Sequence, residues 1–117
     1  MNDEYERLTN DARYLLLRIS SEYQERRVAG KPKRDAVEMG SAEYVRDTVM
    51  PEWSLADVEF TMGELVNAGF MDATPGDDTY IWSHITTAAI SWREQKFGND
   101  VRKVLSAIDE VKKLLHP

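Results

Sequence analysis

Imidazole, the side chain most often recruited as a general acid or base near neutral pH, occurs twice, at His84 and His116. Cysteine is absent, which removes thiolate nucleophiles, disulfides and cysteine-ligated zinc or iron–sulfur centres. Ser83 directly precedes His84, but neighbours on a strand point to opposite faces, so the two do not make a nucleophile and its base. Asp72, Asp77, Asp78 and His84 fall in one short stretch, where their donors could converge on a cation. The simpler reading of His84 is a strand-end residue with a satisfied hydrogen bond. No His-x-x-x-His pair, Gly-rich phosphate loop or Gly-x-Ser-x-Gly elbow occurs. The expectation is a non-enzymatic protein with no catalytic residue, cofactor or resident metal.

Charge is distributed more informatively. The chain carries a net charge of −6, with 15 Lys and Arg. All 15 lie outside Pro51–His84, a span that holds Glu52, Asp57, Glu59, Glu64, Asp72, Asp77 and Asp78, for a local charge of −7. The rest of the chain therefore sums to +1. Its basic counterpart is Arg26-Arg27-Val28-Ala29-Gly30-Lys31-Pro32-Lys33-Arg34, with five cations and no acid. That segment reads either as a phosphate-contacting loop or as a solvated turn whose arginines complement a helix C-terminus. The acidic span reads either as a surface facing a basic partner or as an ordinary solvated face.

The elements that position these charges follow from periodicity. Ala12, Leu15, Leu16, Ile19 and Tyr23 form one stripe of a helix from about Asn10 to Val28, capped by Thr9 or Asn10 and ended by Gly30 and Pro32. Lys33 to Met39 suggests a short helix. Ser41 caps another through Val49, with Tyr44, Val45, Thr48 and Val49 inward and Pro51 as its stop. Ser54 caps the next, with Asp57 at N3, Trp53 and Val58 as a hydrophobic staple, and Leu55, Val58, Met62 and Leu65 buried. Gly69 and Phe70 suit a Schellman ending. Strands at about Phe70–Thr74 and Thr79–Ser83 flank Pro75-Gly76-Asp77-Asp78, where Pro then Gly predicts a type II turn. Tyr80, Trp82 and Trp92 either form an aromatic surface or pack the hairpin on the following helix. That helix starts near Thr86, with Ile85, Ala89 and Trp92 inward, and breaks at Phe97-Gly98-Asn99.

A final helix, Asp100 to Leu115, carries Val101, Val104, Ile108, Val111 and Leu115 at spacings of three and four. Leu105 and Leu114 widen the stripe. A helix of this length is marginal alone, so the stripe must fold back on the first long helix or pair with a second copy. The predicted class is mainly α with a small β-hairpin (α+β), in one unit at residues 9–97 followed by a helix at 98–117. The 117 residues suit one domain with its own core. No apolar run is long enough for a membrane span, and the polar, acidic N-terminus is unlike a signal peptide, so the expected location is cytoplasmic.

The order helix, helix, capped helix, hairpin, helix resembles a winged helix-turn-helix domain. The match is carried by Leu65-x-x-x-Gly69-Phe70, the hairpin, and Ile85-Thr86-Thr87-Ala88-Ala89. Many such regulators read L-x-x-x-G, a short wing, then L-T-x-x-G; here Ala89 replaces the last glycine. The chain is similar to small winged-helix proteins of bacteria and phages, including the YjcQ type. Its C-terminal helix resembles the dimerisation helix of PadR-type regulators.

The resemblance implies that the Ser54 helix and the wing are the elements that would approach DNA. Duplex DNA carries one negative charge per roughly 1.7 Å of axis, so the acidic span opposes that mode of docking. The leading expectation is therefore an interaction module that binds a protein through Asp57, Glu59, Glu64, Asp77 and Asp78. A phage-type acidic inhibitor of a nucleic-acid-handling host protein is a variant of the same idea. The alternative is a dimeric DNA-binding regulator using Arg26, Arg27, Lys31, Lys33 and Arg34. A homodimer through Val101, Val104, Ile108, Val111 and Leu115 is expected in either case.

Overall fold

The computed structural model describes residues 3–115, so His116 lies outside the described residues. The elements run α1 Asp3–Arg7, α2 Asn10–Val28, α3 Lys33–Ala36, α4 Ala42–Val49, α5 Leu55–Asn67, β1 Met71–Pro75, β2 Tyr80–Ile85, α6 Thr87–Phe97 and α7 Val101–Lys112. The mainly helical α+β class is as expected; α1 has no counterpart in the sequence reading.

Helix α2 is the central post, and α3, α4, α5, α6 and α7 all pack on it. Its predicted stripe is buried, and Tyr14, Leu17, Ser20 and Arg26 are buried as well. Thr9 caps it by accepting the Ala12 N–H at 3.2 Å. The Glu64 carboxylate in turn accepts both the Thr9 N–H and its hydroxyl at 2.8 Å. The start of α2 is thereby tied to α5. Tyr14 stacks on Trp53 with ring centroids 6.2 Å apart, which fixes the entry to α5.

Ser41 and Ser54 cap α4 and α5 as expected, each accepting the N3 N–H, and Thr86 caps α6 in the same way. Val45 and Val49 are buried on α4, but Tyr44 is exposed and Thr48 only half-buried. This inner face is narrower than four residues because α4 is short and covered mainly by α5. Helix α5 ends as a full Schellman motif. The Phe70 N–H donates to the Leu65 carbonyl at 3.0 Å, the Gly69 N–H donates to that of Val66 at 3.1 Å, and Gly69 has φ +86°.

Strands β1 and β2 pair antiparallel from Met71↔Ile85 to Thr74↔Trp82, with an irregularity before Pro75↔Tyr80. The turn departs from the type II expectation. Gly76 does not take positive φ; Asp78 does, at +62°, a conformation aspartate tolerates better than most residues. A single antiparallel bridge, Glu38↔His84, adds a third short backbone segment to the hairpin. The Met39 N–H and Ser83 carbonyl (2.9 Å) and the Ile85 N–H and Val37 carbonyl (3.1 Å) hold it there.

The aromatic residues do not assemble into one surface. Trp92 is buried among Tyr5, Phe70 and Phe97, with centroids at 5.0, 5.9 and 5.8 Å. Trp82 stays partly exposed, its ring tilted against that of His84 with centroids 4.6 Å apart, and its indole N–H donates to Glu38. Tyr80 packs beside Gly63 of α5.

Gly98, at φ +58°, separates α6 from α7. Helix α7 then folds back along α2. Val104 and Val111 are buried in this intrachain packing, and Ile108 and Leu115 are half-buried against the same core. Only Val101 of the proposed dimer stripe is largely exposed, at 49%. The stripe as a whole is thus not free to meet a second copy: the chain consumes most of it. No helix among the described residues is long and apolar enough to cross a membrane.

Candidate functional site

The acidic residues singled out from sequence separate into three places. Glu59, Asp77 and Asp78 come together, with Glu43 from α4 added to them. They line an open groove of about 580 Å³ between the start of α4, helix α5 and the hairpin tip, together with Leu55, Tyr80 and Ile81. No lysine or arginine lines it. Asp57 instead borders a separate cleft of about 360 Å³ beside Trp53, Asp11, Glu52 and the cation Lys112. Glu64 belongs to neither. Its carboxylate is used on Thr9, so its role is to hold the fold together rather than to face a partner.

Local sequence explains the groove. The Ser41 and Ser54 caps set the starts of α4 and α5, bringing Glu43 and Glu59 toward the hairpin. Asp78 turns the chain with its positive φ, so two carboxylates stand at the tip. Glu43 was missed because it lies outside the lysine- and arginine-free span. Phe60 was missed as well: it is 79% exposed on α5. Its signal is a phenylalanine off the Leu55–Val58–Met62–Leu65 stripe. Phe60 stands three residues from Asp57 and four from Glu64, the spacing of one helix face. Ile81, on the groove wall, is also exposed.

The basic segment is divided too. Arg26 is buried: it pairs with Glu22 at 3.0 Å, and its guanidinium donates to the carbonyls of Ala36 (3.3 Å) and Glu38. It fastens α2 to α3 and the segment that follows, so it is not a phosphate contact. Arg27 donates to the Lys31 carbonyl at 2.9 Å. Arg27, Lys31, Lys33 and Arg34 remain exposed; Arg34 has a loose pair with Asp35 at 3.8 Å.

Around the hairpin, Asp72 and His84 pair across the strands at 3.3 Å. Asp77 and Asp78 sit at the opposite end, so the four residues do not converge on one cation. No cluster of three or more His, Asp or Glu suited to a metal occurs among the described residues. Ser83 is buried and donates to the Gly40 carbonyl at 2.8 Å, facing away from His84. No family model, curated protein or solved structure matches this chain.

Proposed function

We propose that this chain is a non-enzymatic winged-helix interaction module that captures a basic protein surface in the groove between α4, α5 and the hairpin. The order α2, the Glu38 bridge, α4, α5 and the β1–β2 hairpin supports the winged-helix reading, with the hairpin as wing. The observation that carries the functional reading is the convergence of Glu43, Glu59, Asp77 and Asp78 around Leu55, Tyr80 and Ile81. A like-signed rim around apolar side chains favours a cationic partner with an apolar contact, and steers its approach. The exposed Ile81 on the groove wall adds an apolar contact, while the exposed Phe60 lies on another face of α5, outside the groove.

A second reading rests on the four exposed cations Arg27, Lys31, Lys33 and Arg34, as phosphate contacts of a DNA-binding regulator. The test titrates the protein with an arginine- and leucine-containing peptide and with random duplex DNA, each at two salt concentrations. The module reading expects salt-sensitive peptide binding that the pair Glu59→Lys and Asp78→Lys weakens by about tenfold or more, and no DNA binding at low salt. Salt-sensitive DNA binding that the same pair strengthens, with no affinity for the peptide, would transfer the function to the basic loop.

A further inference from the structure

A second cavity, remote from the acidic groove, has the opposite character. It is an open-mouthed pocket of about 530 Å³ among α2, α6 and α7, within the range typical of small-molecule sites, about 300–1,000 Å³. Its walls are mainly aliphatic: Val28 and Ala29 from the end of α2, and Val101, Val104 and Leu105 from α7. Val28, Val101 and Leu105 leave 76%, 49% and 53% of their surface exposed, so this is apolar surface without a partner.

One cation reaches into these walls. Arg93 of α6 lines the pocket and is only 4% exposed. Its Nε–H has no hydrogen-bond partner. A guanidinium offers five donors, and Arg93 makes one hydrogen bond, a long one from its terminal nitrogen to the Gly98 carbonyl at 3.4 Å. None of the ion pairs among the described residues includes it. Glu25 at the pocket mouth and Glu94 on α6 are exposed rather than paired with it. Buried charges are ordinarily paired, because an unpaired one loses its hydration with nothing in return. Arg26, also buried in the same fold, satisfies that rule with three partners.

We infer that the pocket binds an aliphatic carboxylate, with Arg93 as the anion anchor and Val28, Val101, Val104 and Leu105 around the hydrocarbon. A planar carboxylate matches the guanidinium and accepts its terminal N–H groups, which the long bond to the Gly98 carbonyl leaves largely unused. The alkyl chain covers the aliphatic wall. Both unmet requirements of the pocket, the missing acceptor and the bare apolar surface, are then answered by one molecule.

The probe is decanoate, with decanol as its uncharged counterpart, each titrated into the full chain below micelle-forming concentrations and followed by NMR. The expected result is a shift of the Val28, Val101 and Leu105 amides and of the Arg93 Nε–H, with decanoate bound at least tenfold more tightly than decanol. Arg93→Met fills the same space without charge, and it is expected to remain folded and to abolish the preference for decanoate. Leu105→Glu places a carboxylate at the exposed mouth and is expected to weaken decanoate by tenfold or more. This second variant decides the matter if the first does not fold. Equal binding of the two probes, no response at these amides, or a decanoate affinity unchanged by Leu105→Glu overturns the inference. So does a concentration-dependent shift of the same amides without ligand, with no decanoate response, since a second copy would then be covering the pocket.

Discussion

Single residues show how little of a side chain's role its type reveals. Arg26 and Arg93 are both buried arginines. The first is a fastener with a carboxylate and two carbonyls; the second faces an aliphatic pocket with its Nε–H idle. Burial holds the Arg93 guanidinium below the usual arginine range. Tyr5 shows the converse shift. Stacked on Trp92 in the core, its hydroxyl is raised above the ordinary 10.0 by burial, with the nearby Arg13 opposing and Glu6 and Glu110 adding to the rise. The folded chain therefore holds the Tyr5 proton to higher pH than the unfolded chain does. Its contribution to stability is complete below the unfolded value of 10.0 and is lost as pH climbs toward the folded value. Tyr5→Phe keeps the ring and removes that loss. Urea midpoints between about pH 9 and 11 are expected to fall less steeply for the variant than for the parent chain. Parallel curves would mean that the hydroxyl reaches solvent.

At the level of elements, the hairpin illustrates where sequence logic succeeds for a different physical reason. Pro75-Gly76 predicts a turn, and a turn is there, but the positive φ belongs to Asp78. Gly76 is needed for space: a Cβ built on it would overlap Ile81 Cγ2. Isoleucine is stiff at χ1, so Ile81 has little room to yield. Gly76→Ala should otherwise gain about 0.4–1 kcal/mol by stiffening the unfolded chain. The overlap is expected to reverse that sign, lowering stability by roughly 1 kcal/mol and speeding amide exchange at Gly76, whose N–H donates to the Thr79 carbonyl. A stabilised variant would show that the tip shifts freely. Caps and apolar stripes made α2, α4, α5 and α6 legible, because each is a local pattern that tertiary packing only completes. Helix α1 was not, since five residues are too few for periodicity and its anchor, Tyr5 on Trp92, is a contact across most of the chain. The acidic site was legible as a charge count but not as a place. Which carboxylates share a groove depends on Glu43 and the fold of the hairpin over α5, and Glu64 was claimed instead by Thr9.

Over the whole molecule, the decisive question is how α7 divides its apolar surface between the fold and a partner. The sequence reading expects a second copy, but a stripe at spacings of three and four does not itself say which helix it meets. In the structure the inner half, Val104 and Val111 with Ile108 and Leu115, lies against the core, while Val101 and Leu105 remain outside and border the Arg93 pocket. Each fully buried valine stabilises by roughly 1.5–3 kcal/mol before entropy, and less against a compact unfolded chain. Two of them with two half-buried neighbours amount to several kcal/mol, a large share of a total that is typically about 5–15 kcal/mol. Removal of α7 also uncovers one side of α2, the post on which the other helices pack. A chain ended after Asn99 is therefore expected to lose its sharp thermal transition and its near-ultraviolet circular dichroism, in which the buried Trp92 is the principal reporter. Such a loss makes α7 part of the core, with only Val101, Leu105 and Leu114 available as large exposed apolar side chains on or just beyond it. A shortened chain that instead melts cooperatively near the parent's temperature would show that residues 9–97 fold alone and that α7 is an appended element free to pair elsewhere.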